Sequence, residues 1–118
     1  MPDWKERKLP YEELIAWQVA RELLLAVQAA KIADLKLRDQ AMRAAQSTCL
    51  NIAEATGRGT IADQKRVYAI ARGEASETAA ALEIAAALGE CELPQAATGK
   101  LAARSGAAGT RHISGAFA

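Results

Sequence analysis

Two long stretches almost free of helix breakers run from Ala41 to Thr56 and from Ile61 to Gly89, joined at Thr56-Gly57-Arg58-Gly59-Thr60. A helical hairpin of this length presents an apolar stripe on each arm, and further helices must cover those stripes. The pattern therefore predicts an all-α chain, an up-down four-helix bundle with a weak or truncated fourth helix. It also places function on a surface rather than in a pocket.

The first helix is expected at about 11–32, where Leu14, Trp17, Ala20, Leu24, Val27 and Lys31 recur every three or four residues and Leu23 and Leu25 widen the stripe. Pro10 stands at its mouth, and Glu12 and Glu13 suit the positive end of a helix dipole. Asp34 is placed to cap a second helix at about 35–57, with a seam of Leu35, Met42, Ala45, Cys49, Ile52 and Thr56. A third, at about 61–89, turns Val67, Ile70, Glu74 or Ala75, Thr78, Leu82, Ala85 and Leu88 inward and stops at Gly89. Gly73 lies mid-helix at a cost of about 1 kcal/mol relative to alanine, which close approach of a neighbouring helix would explain. These helices make a core unit over residues 1–93. Residues 94–118 are expected to hold a short fourth helix near 94–105 and a flexible Gly/Ala-rich tail, because Leu101, Ile113 and Phe117 are its only large apolar groups. No internal repeat is present.

At 118 residues the chain is sized for one domain. Its apolar content is 51%, yet aromatics supply only 4% and alanine a large share. Small side chains bury little area, so a lone copy is thinly stabilised and self-association is the natural remedy. The net charge of +1 conceals a strong partition. Residues 1–34 carry 5 bases and 6 acids, residues 35–73 carry 7 bases and 3 acids, residues 74–92 carry 5 acids and no base, and residues 93–118 carry 3 bases and no acid. The third helix thus has a basic front and an acidic rear, which suits head-to-tail subunit contacts as readily as a polyanion.

Cys49 and Cys91 would stand about 30 Å apart along the third helix at 1.5 Å rise per residue, too far for a disulfide. With no apolar run of signal or membrane-span length, the expectation is a cytoplasmic protein without a membrane partner. Di-iron bundles need Glu-x-x-His on two helices, but His112 is the sole histidine and lies in the tail. Zinc sites fail on the same count, and no phosphate-binding glycine motif follows a strand. No catalytic site, metal or cofactor is expected.

Two polar groupings remain. Ser47, Asn51, Glu54 and Arg58, spaced by four, three and four, share one helix face. They read as a structural network tying the second helix to Arg72 or to a neighbouring subunit, with a recognition face as the alternative. The cations Arg43, Arg58, Lys65, Arg66 and Arg72, with Arg38 nearby, are the candidate nucleic-acid contacts, since phosphate contacts add together without reading sequence. A solvated helix face accounts for the same residues, and Asp39, Glu54 and Asp63 weaken the polyanion case. Trp17 and Tyr68 fall at helical spacing, as core or interface anchors.

Three stretches also carry a family likeness: Leu14-Ile15-Ala16-Trp17-Gln18; Arg43-Ala44-Ala45 through Asn51-Ile52-Ala53-Glu54 and Gly57-Arg58; and Tyr68-Ala69-Ile70-Ala71-Arg72-Gly73 through Glu77, Leu82-Glu83-Ile84-Ala85 and Leu88-Gly89. In order and spacing over residues 11–90 the chain resembles the four-helix-bundle proteins encoded in intervening sequences of bacterial 23S rRNA genes. That group is similar in fold to the accessory proteins of diversity-generating retroelements. The resemblance implies a homopentameric bundle without enzymatic activity. It also implies RNA or DNA, and a reverse transcriptase or ribonucleoprotein, as partners of a basic surface. The family usually has proline where Cys49 stands, so the second helix here should run straighter; its long amphipathic fourth helix has no counterpart after Pro94. The leading expectation is a non-enzymatic oligomeric bundle that associates with nucleic acid. The rival is a protein-interaction scaffold with no nucleic-acid role.

Overall fold

The computed structural model describes Tyr11 and residues 14–91, and these form three α-helices with no strand among them. They are α1 (Ile15–Ala30), α2 (Leu35–Thr56) and α3 (Ile61–Ala87). The expected fourth helix and tail lie outside the described residues.

Each boundary has a local cause. Leu14 is extended, with no side-chain cap, and α1 begins at the next residue, Ile15. It ends where Lys31 takes a left-handed conformation (φ 48°), a bend that delivers Ile32 into the core. Asp34 caps α2 as expected, its carboxylate accepting the Leu37 N–H at 2.9 Å. Thr60 caps α3 in the same way, accepting the Asp63 N–H at 3.1 Å. At the far end Gly89, at φ 71°, completes a Schellman motif: Glu90 N–H donates to Ala85 C=O at 2.8 Å and Gly89 N–H to Ala86 C=O at 3.1 Å. Glu90 then pins the α1–α2 connection. Its carboxylate accepts the Asp34 N–H at 2.9 Å and its carbonyl accepts the Ala33 N–H at 3.2 Å.

The helices pack mainly through alanine. Among the described residues twelve of the 22 buried apolar ones are alanines, so the backbones can approach closely while each contact buries little area. One cluster joins Leu23, Val27, Ile32, Ala41, Ala45, Ala75, Leu82 and Ala85; a second joins Leu14, Ala20, Cys49, Ile52, Ala55, Val67 and Tyr68. Thr48 and Thr78 are fully buried, each donating its hydroxyl to the carbonyl four residues back, Ala44 and Glu74, at 2.8 Å. α2 runs unbroken for 22 residues through Cys49.

Several expected core positions face outward instead. Leu35, Ile70 and Leu88 are 63%, 42% and 68% exposed, and Lys31 and Leu25 also face out. Trp17 and Leu24 are half-buried, Trp17 meeting the Tyr11 ring edge-on with centroids 4.6 Å apart. Leu23 is the fully buried leucine of α1. Gly73 likewise does not mark a close approach among the described residues, since a Cβ placed there would meet no atom within 4 Å.

Candidate nucleic-acid interface

The α2–α3 turn is knitted together by charge. Arg58 pairs with Glu54 one helical turn behind it and with Asp63 at 3.4 Å across the turn. Asp63 also accepts from the Arg66 guanidinium, at 2.8 and 2.9 Å. Gln64 closes the loop by donating its side-chain amide to the Arg58 carbonyl at 3.1 Å. Gly57 keeps an ordinary right-handed backbone (φ −92°), so the reversal depends on these side chains and on Thr60 more than on glycine's freedom.

The five candidate cations do not form one patch. Arg58, Lys65 and Arg66 sit near the turn, but two of them are held by Glu54 and Asp63. Arg43 lies 15 residues before Arg58 on α2, a separation of about 22 Å. Lys65 and Arg72, seven residues apart, share one face of α3; Arg66 is rotated about 100° from Lys65 and lies in line with Ile70 and Gly73. Within the polar row, neighbouring members bond along α2. Asn51 donates its amide to the Ser47 carbonyl at 2.8 Å and hydroxyl at 3.0 Å, while Glu54 holds Arg58. Arg72 lies exposed on α3.

What the sequence reading missed is where this row leads. Continued toward the start of α2 it becomes Lys36, Gln40, Arg43, Ser47, Asn51, Glu54 and Arg58 at steps of four, three, four, four, three and four. Its first half forms one wall of a groove of about 680 Å³. Lys36, Asp39, Gln40 and Arg43 line the α2 side, and Glu74 and Glu77 the α3 side. Glu74 is pushed above the usual carboxylate range, chiefly by burial and then by the adjacent Glu77, which repels its charge and shares a hydrogen bond. Among the described residues no ion pair crosses the groove. Extending the spacing by two turns would have found Lys36 and Gln40; the acidic wall required the register of α3 against α2.

Among the described residues no cluster of His, Cys, Asp or Glu could hold a metal, and no helix is long and apolar enough to cross a membrane. Cys49 is buried and Cys91 half-buried, both as free thiols. The described residues define an all-helical protein of three packed helices with charged outer faces. The sequence pattern of the family described as 23S rRNA-intervening sequence protein matches residues 12–104, and the chain belongs to that family. No curated protein matches it.

Proposed function

We propose that this chain is a non-enzymatic, cytoplasmic helical-bundle protein that assembles with copies of itself and associates with nucleic acid or a ribonucleoprotein through its cationic helix faces. A fourth helix from the segment after Cys91 would complete the bundle. A homopentamer is the stoichiometry that the family likeness implies. One observation carries the nucleic-acid reading: of the seven bases between residues 35 and 73, six are exposed and Arg58 is half-buried. Symmetry in an assembly multiplies even a scattered set of cations, and phosphate contacts sum without needing base readout.

Arg58 and Arg66 contribute less than their charges suggest, because Glu54 and Asp63 already hold them. Lys65 is therefore central to the contact set of Arg43, Arg58, Lys65, Arg66 and Arg72. The test is binding of a generic RNA or duplex DNA as a function of salt. Each neutralised duplex phosphate contributes a slope of about −0.9 in log K against log salt. Binding without a salt slope, or none at low salt, overturns the reading.

The second reading, a scaffold without a nucleic-acid role, is favoured by the ion pairs at the turn, which bind the chain to itself. Reversing Lys65 and Arg66 to glutamate separates the two. Loss of polyanion binding with assembly intact supports the first; loss of assembly supports the scaffold.

A further inference from the structure

The α2–α3 groove is the strongest unassigned feature of the molecule. Lys36 and Arg43 stand on one wall and Glu74 and Glu77 on the other, with Asp39 tempering the basic side. No residue of α1 lines it. A polyanion would meet the acidic wall, so the groove is a poor place for phosphates even though Arg43 lies within it. A ligand of one sign is repelled by one wall or the other. Each wall supplies the charge that its opposite lacks.

We propose that this groove is the contact face between copies of this chain, the Lys36–Arg43 wall of one copy pairing with the Glu74–Glu77 wall of the next. The proposal rests on the self-association in the functional reading and names the surface that makes it. Self-complementary walls allow a single kind of chain to satisfy both sides, which an unrelated partner would have to match by coincidence. A strip beside the acidic wall supports the same occupant: Ile70, Gly73, Glu77, Ala80 and Ile84 follow one another at helical spacing, all exposed. Ile70 and Ile84 offer apolar area, and Gly73 and Ala80 leave room for a helix to come close. A glycine in an exposed helix interior is unfavourable by about 1 kcal/mol and meets no close neighbour among the described residues, whereas a second copy seated on the strip would use the space. Burial of this kind also supplements the alanine-rich core. Arg43 thereby passes from the nucleic-acid set to the assembly face.

The test is a charge swap on the full chain, read by native mass spectrometry and sedimentation, with circular dichroism showing that each variant is folded. K36E/R43E has two acidic walls and E74K/E77K two basic ones. Each alone should weaken self-association by at least about tenfold. An equimolar mixture of the two should reassociate, and the fourfold variant carrying both changes should self-associate again. If the wild type assembles and both wall variants assemble equally well, this surface assignment is overturned while self-association stands. If the variants dissociate but their mixture stays apart, the loss is not charge pairing across the groove and the proposal also fails. A wild type that is monomeric at every concentration removes the self-association itself.

Discussion

Cys49 sits among Leu14, Ala20, Ile52 and Val67, and burial pushes its thiol above the ordinary range, an effect only partly offset by Arg21. Cys91, half-buried beyond α3, has no such packing around its whole side chain. Alkylation of the native protein at neutral pH should therefore modify Cys91 first and reach Cys49 only on addition of denaturant, as read by peptide mass. Glu74 behaves differently because its surroundings are a groove. Its folded-state value lies above the unfolded one, so the fold favours the protonated form. That contribution is complete below the unfolded value and is lost as pH rises through the folded value. In dilute protein, acidification from neutral pH should raise the contribution of Glu74, and Glu74→Gln should be the more stable form at neutral pH. Urea midpoints of the two proteins across that range test it. Leu23 is fully buried, and Leu23→Ala should cost about 2–5 kcal/mol in the same assay.

At the scale of the helices, two glycines should respond in opposite directions to the same substitution. Gly73→Ala fills open space in the middle of α3 and should stabilise the isolated chain by about 1 kcal/mol. Gly89→Ala forces a side chain into the left-handed conformation that ends α3 and should destabilise by about 1–2 kcal/mol. Thermal melts of both variants, made and measured together, decide the pair. Element existence was legible because its causes are local. Asp34 and Gly89 act within a few residues of themselves, and both do what their positions in the sequence predicted. The roles of Thr60 and Glu90 are not visible in the sequence, for different reasons. Thr60 lies inside the Gly-rich turn motif, where a capping threonine looks the same as a turn residue. The partners of Glu90, Ala33 and Asp34, are brought to it only by the closing of the hairpin. The outward turn of Leu35, Ile70 and Leu88 has a related origin. A stripe of apolar residues on a helix spans more than one face, and only the neighbours that pack against it select which edge is covered.

For the whole molecule, the alanine-rich core ties stability to assembly. If copies associate, the melting temperature should rise with protein concentration, because association binds the folded state and not the unfolded one. A melt independent of concentration over two decades would count against it. Helix-forming periodicity, the capping residues and the basic-to-acidic gradient follow from the sequence alone, since each depends on neighbours within a few positions along the chain. The tertiary structure alone decided three things: which edges of the apolar stripes were covered, the division of the candidate cations between separate faces, and the confrontation of Lys36 and Arg43 with Glu74 and Glu77. The reason is physical: a helix's azimuth is set by what packs against it, and the two walls of the groove come from positions 31 to 41 residues apart in sequence, Arg43 to Glu74 and Lys36 to Glu77.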